Sequence, residues 1–132
     1  LLAEQLEMTS VQTKWTNRSF SVSCIYKDHA MSKMLFIDKM NQVFINHNER
    51  LNPSIIVGDF NLHDDDDRYN QILNNNANIH GLIPTVHHGT TINNHLLDQI
   101  FITDAQETAQ FKTVILPSYF SDHSLIVLCI PK

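Results

Sequence analysis

Ser54-Ile55-Ile56-Val57-Gly58-Asp59-Phe60-Asn61 is the stretch whose reading decides the fold. Three consecutive β-branched residues read as a buried strand, and Gly58 is expected to end it at a turn that needs a residue without a Cβ. The strand delivers a carboxylate and a carboxamide, Asp59 and Asn61, at its carboxyl end, where α/β sheets bind ligands. If the backbone stays extended there, the two side chains point the same way. Gly, Asp and Asn are also common turn residues, so this stretch alone leaves a turn and a site both open. Two other stretches add weight. Ser121-Asp122-His123-Ser124 leads into a second apolar run, Leu125 to Ile130, and Leu96 to Ile102 is a third run with one acid, Asp98, inside it.

The chain has 132 residues, enough for one domain with a real core and not for two. Apolar residues make 42% and charged residues 17%, a globular composition rather than a disordered one. The formal charge of −5 argues against a broad phosphate-binding surface, which is normally basic. Cys24 and Cys129 both fall in apolar strand-like runs and are expected to be reduced and buried, in an intracellular setting. No apolar run approaches membrane length, and the first residues lack a signal-peptide pattern. The chain begins with Leu rather than Met, so it is expected to start inside a longer protein.

In chain order, Leu6 to Lys14 and Phe20 to Tyr26 read as two strands joined by a turn at Thr16-Asn17-Arg18-Ser19, an antiparallel hairpin. From Ser32 to His47 the period changes: Phe36, Met40, Val43 and His47 form one stripe, widened by Leu35, Ile37 and Phe44. The spacing predicts an amphipathic helix. Asn52-Pro53 stops the chain before the strand at Ser54. A short helix with Tyr69, Ile72 and Leu73 on its apolar face is expected to fray at Asn74-Asn75-Asn76. Phe111 to Leu116 is a further strand, ended by Pro117. Six strands and two helices indicate an α/β sandwich.

Asp64-Asp65-Asp66-Asp67 lacks the alternate spacing and later Glu of a calcium loop, and reads as a solvated loop favouring the start of the next helix. His87, His88 and His95 have neither an i, i+4 pair nor the cysteines of a zinc ribbon. His29, His47, His63 and His80 read as surface or helix-face residues. Gly89-Thr90-Thr91 is a loop leading into the Asp98 strand.

The G-D-F-N strand end (Gly58 to Asn61), the L-D-Q-I segment around Asp98 and the S-D-H triplet (Ser121 to His123) resemble, in that order, the endonuclease/exonuclease/phosphatase superfamily. The resemblance implies a four-layer α/β sandwich of two mostly antiparallel sheets flanked by helices, and Mg²⁺-dependent phosphodiester hydrolysis, with Mn²⁺ as an alternative ion. It assigns Asp59 to orienting and deprotonating the attacking water, and Asn61 to holding a phosphate oxygen. His123 is to donate to a non-bridging oxygen or act with the water, Asp98 to fix its tautomer and raise its pKa, and Asp122 to contribute to the metal site. Tyr26 stands where family members often have a strand-ending phosphate contact. Here Lys27-Asp28-His29 follows it, in place of the usual proline.

The resemblance covers residues 1–132 as the C-terminal portion of a single such domain. The family's first half, which carries a strand-ending Asn and a metal-binding Glu, is expected to be absent; neither Glu4 nor Glu7 takes that role. The inositol-phosphatase branch has a W-C-D-R-type segment where Leu96 to Ile100 stands here, and the secreted branches bring disulfides and signal peptides. The sequence is most similar to endonuclease domains of mobile elements such as non-LTR retrotransposons, which nick DNA. This implies a nucleic-acid partner, DNA foremost, no membrane, and an intracellular, nuclear setting. Missing half its fold, the chain is expected to be weak or inactive alone and to associate through an exposed sheet face. A non-catalytic, partner-binding remnant is the alternative of a different class; an RNA nuclease or a phosphatase is the alternative within the family.

Overall fold

The computed structural model describes residues 5–49, 52–62 and 68–132. Glu4, His63 and the acidic run Asp64 to Asp67 lie outside the described residues. The hairpin forms as expected: β1 (Glu7–Trp15) and β2 (Arg18–Tyr26) pair antiparallel from Glu7↔Tyr26 to Trp15↔Arg18. Thr16 and Asn17 have φ of 47° and 65°. Two consecutive left-handed residues are what a tight turn needs to match the twist of its strands.

The helix α1 (Lys33–Asn48) carries the chain from β2 to β3 (Ser54–Asp59), which pairs parallel to β2. Ser32 caps α1 by accepting a hydrogen bond from the Leu35 amide at 3.1 Å. The expected stripe is buried: Phe36, Ile37, Met40, Val43, Phe44 and His47. β5 (Asp98–Thr103) lies antiparallel beside β3, and β4 (Leu82–Pro84) is antiparallel beside β5. The sheet order is therefore β1-β2-β3-β5-β4, mixed but mostly antiparallel. β6 (Lys112–Leu116) and β7 (Leu125–Cys129) form a separate two-stranded antiparallel sheet.

Two apolar clusters hold these layers together. On one sheet face, α1 and α2 (Arg68–Ile79) bury Ile25, Ile56, Phe60 and Phe101. Phe60 stacks on Phe101 with centroids 6.1 Å apart, and Phe44 meets Phe101 edge-on at 5.2 Å. On the other face Phe20, Ile55, Ile100 and Ile102 pack with Phe111 and with the Ile115, Ile126 and Leu128 side chains of the second sheet. The described residues thus form an α/β arrangement of helices, five-stranded sheet and two-stranded sheet, in that order.

Four local expectations are corrected. Gly58 does not end β3 at a turn; it lies within the strand, and a Cβ there would sit 2.0 Å from the Ile25 carbonyl oxygen and 2.6 Å from the Phe60 ring. Close approach is what demands glycine here. The Asn74-Asn75-Asn76 run does not fray α2, which continues to Ile79 because Leu73 and Ala77, one turn apart, are both buried. β4 makes a seventh strand, too short for periodicity to show and ended by Pro84 at the sheet edge. Cys24 and Cys129 are free as expected but exposed. Cys24 shares a sheet face with Val22 and Val11, and the second sheet leaves the β1 side of that face uncovered, so Val11 and Trp15 are half exposed.

Candidate active site

Strand register builds the site. Tyr26, Asp59 and Asp98 are direct neighbours across β2, β3 and β5, so their side chains leave the same face at one edge of the sheet. That face is the one packed on the second sheet, and the loop entering β7 brings in His123. Three backbone contacts dock that loop onto the Thr90–Ile92 segment: a bridge at Thr91↔His123, Ser124 N–H to Thr90 O at 2.7 Å, and Ile92 N–H to Asp122 O at 2.8 Å.

His123 Nδ1 and Asp98 Oδ2 lie 2.7 Å apart, and His123 Nε2 lies 3.8 Å from Asp59 Oδ2. Asp98 thus takes one ring nitrogen and the other faces Asp59. The hydrogen bond to Asp98 holds the His123 pKa above the usual imidazole range, against a smaller opposing effect of burial, with the Asp59 and Asp122 charges adding to it. Burial, followed by repulsion from Asp98, pushes the Asp59 carboxyl up; the Asn61 amide, 3.2 Å from its Oδ1, pulls the other way.

Thr90 belongs to the same unit, a role that its place in the Gly89-Thr90-Thr91 loop does not reveal by itself. It is wholly buried, and its hydroxyl donates to Asp98 Oδ2 at 2.7 Å. The hydroxyl oxygen in turn accepts from the amides of Leu97 and Asp98 at 3.3 and 3.2 Å. Asp98 Oδ2 therefore has two hydrogen-bonded partners, Thr90 and His123, which fix its direction. The sequence signal was only a threonine pair ahead of the acid.

The other sequence-expected residues are placed differently. Asn61 has a left-handed φ of 45°, so the backbone past Asp59 is not extended and the two side chains do not project in parallel. Asparagine tolerates that conformation better than most residues. Its buried amide donates to the Lys27 carbonyl at 2.8 Å, which leaves one N–H for any phosphate. Tyr26 is exposed beside Asp59. Asp122 is exposed with its carboxylate turned to the Ser121 hydroxyl at 3.4 Å. Among the described residues the one group with metal-ligand spacing is Asp59, Asp98 and His123, whose ligand atoms lie within 4.8 Å of one another; Asp122 is outside it. His87, His88 and His95 form no such group among the described residues.

Two carboxylates and an imidazole thus meet at one edge of a mixed sheet. The chain belongs to the Endonuclease/Exonuclease/phosphatase family, whose model matches residues 12–123. That family comprises hydrolytic, metal-dependent nucleases and phosphatases. Its fold is shared with the endonuclease domain of TRAS1, a telomere-specific non-LTR retrotransposon, at TM-score 0.70 and 17% identity over 95% of this chain and 64% of that one. Beta toxin from Staphylococcus aureus matches at TM-score 0.70 and 14% identity, over 96% of this chain and 57% of that one. D. rerio TDP2 complexed with single strand DNA product matches at TM-score 0.62 and 15% identity, over 90% and 59%. The chain therefore spans less than two thirds of the length of these solved relatives. No curated protein matches it in sequence. No helix among the described residues is long and apolar enough to cross a membrane.

Proposed function

We propose that this chain carries the catalytic edge of a Mg²⁺-dependent phosphodiester hydrolase that nicks DNA, of the mobile-element endonuclease type, working in the nucleus. The observation that carries the proposal is the Asp98–His123–Asp59 line, with contacts of 2.7 and 3.8 Å on the two ring nitrogens. In this reading Asp98 accepts from His123 Nδ1–H, so Nε2 is the nitrogen that carries the working proton. Asp59 accepts a hydrogen bond from the attacking water and takes its proton as the water oxygen bonds to phosphorus. The raised pKa of Asp59 suits a base better than an ordinary aspartate. The protonated Nε2 of His123 donates to a non-bridging oxygen, where negative charge grows in the transition state. The leaving oxygen departs with the electron pair of its phosphorus bond and collects a proton from water. Tyr26 and the remaining Asn61 N–H are proposed phosphate contacts.

The donor set fits an oxygen-liganded cation. Among the described residues, Asp98 Oδ2 is taken by His123 and Thr90 and Asp59 Oδ1 by the Asn61 amide, which leaves Asp98 Oδ1 for a cation and Asp59 Oδ2 for the water. One or two carboxylates with water is the usual protein share of a Mg²⁺ shell. When bound, the ion supplies positive charge against the phosphate oxygens. Asp122, assigned to the ion by resemblance, is proposed to join through water.

The test is nicking of supercoiled plasmid by this chain and by a version extended upstream in its reading frame. The extended version is expected to nick in Mg²⁺ or Mn²⁺, to stop in EDTA, and to fall silent on His123→Ala; the shorter chain is expected to nick barely. Nicking that survives His123→Ala would sink the proposal. Cleavage of RNA or of a phosphomonoester in preference to DNA would move the chain to another branch of the family.

A further inference from the structure

Three large apolar side chains on the segments that flank His123 are almost entirely in water. Phe120 is 99% exposed, Tyr119 91% and Ile92 81%. None of them takes part in the hydrolytic chemistry proposed above. They stand on two segments that also carry the site: Pro117 to Ser124 contains His123, and Thr90 to Asn94 begins with the residue that fixes Asp98. The Ile92–Asp122 backbone hydrogen bond ties the two segments together next to a shallow pocket lined by Ile92, Pro117, Asp122 and His123.

The segment is held in shape. The Ser118 hydroxyl accepts from the Phe120 amide at 3.3 Å, and the Ser121 hydroxyl accepts from the His123 amide at 3.1 Å. The aromatic pair is thus presented on a braced turn fixed to the site. Its charge also disfavours one half of a nucleotide. Residues 91–94 and 117–122 contain no lysine or arginine, and Asp122 adds negative charge. Such a rim gives a phosphate no counter-charge, and Asp122 repels it. It offers flat apolar surface to the part of a nucleotide that is flat, weakly polar and uncharged.

We propose that Tyr119 and Phe120, with Ile92 at their side, form a stacking platform for a nucleobase adjoining the phosphodiester bound at Asp59 and His123. The platform rests on the proposal that nucleic acid is the substrate, and it adds where the strand lies. The phosphate sits over the carboxylate–imidazole edge, and the flanking base leans on the loop before β7. Stacking tolerates every base, so the platform gives grip and direction along the strand rather than sequence choice.

The test is fluorescence anisotropy with two short labelled DNA strands of equal length, one carrying bases and one wholly abasic. The chain is expected to bind the base-bearing strand about 10-fold tighter, a ratio in the range of one stacked base. The double change Tyr119→Ala and Phe120→Ala, at positions too exposed to disturb folding, should erase that preference, and Phe120→Trp should keep it. If the double variant keeps the full preference, or weakens both strands alike, the platform is wrong. It is equally wrong if the double variant leaves DNA binding intact but abolishes self-association in sedimentation, because a second copy would then be the occupant. A chain that binds neither strand would overturn the nucleic-acid substrate itself. Equal binding of both strands would overturn the platform alone.

Discussion

Asp98→Asn tests the site at its most ordered contact. The substitution keeps the size of the side chain and an oxygen to face His123 Nδ1, but it removes the charge. The bond it alters is 2.7 Å long, and both partners are partly buried. A hydrogen bond to a charged group is worth about 1.5–3 kcal/mol, against about 0.5–1.5 kcal/mol for a neutral pair. The difference is on the order of 1 kcal/mol. The raised His123 pKa should therefore fall toward the ordinary imidazole range, followed by nuclear magnetic resonance of its ring protons across a pH titration. The sign on stability is fixed by the same shift. His123 is held above its usual value in the fold, so its contribution to stability is full below about pH 6.5 and is lost as pH rises through the raised value. The stability gap between the unaltered chain and Asp98→Asn should be wider at pH 6 than at pH 9, in urea melts. In an active version the loss in turnover should approach the ~10⁴-fold seen when a histidine's orienting aspartate is neutralised in serine proteases. A His123 pKa that stays put on Asp98→Asn would refute the pairing.

Three other outcomes follow from the fold. Gly58→Ala should cost at least about 2 kcal/mol in urea denaturation, because its Cβ meets the Ile25 backbone at 2.0 Å and backbone has little freedom to give way; a neutral result would mean β2 and β3 are less tightly paired than described. Replacing Thr16-Asn17 by Asn-Gly should stabilise the hairpin by about 0.5–1 kcal/mol, since both positions have positive φ, and an unchanged melting temperature would contradict the turn. The isolated chain should self-associate through the uncovered face around Val11 and Trp15. Sedimentation should show dimers or larger species that Val11→Lys disperses, and a monomeric, cooperative melt above about 65 °C would argue against this.

The helix α1 and the strands around Ile56, Phe101 and Ile126 were legible because burial leaves its period in the sequence. The partnership of Asp98 and His123 was legible only through motif resemblance; no spacing rule links residues so far apart in the chain. Three features were hidden for distinct reasons. Gly58 looked like a turn because glycine marks both a positive φ and a close approach, and sequence does not separate the two. Whether the Asp59 and Asn61 side chains run parallel hung on an extended backbone, and the left-handed turn at Asn61 that breaks it leaves no mark in the strand pattern. Thr90 escaped notice because a buried hydroxyl with several backbone partners leaves no periodic trace. The exposure of Cys24 reflects an uncovered sheet face, which depends on what packs there and not on the alternation of the strand itself.

Thr90 also determines how the site comes apart. Its hydroxyl steers Asp98, while its carbonyl receives the Ser124 amide next to His123. A local opening of the loop around Thr90 therefore releases the acid and the imidazole in a single event. Thr90 therefore couples the loosening of one half of the pair to the loosening of the other. Hydrogen exchange makes this visible: the amides of Asp98 and Ser124, far apart in sequence, should exchange with one common opening free energy, and Thr90→Ala should lower both together.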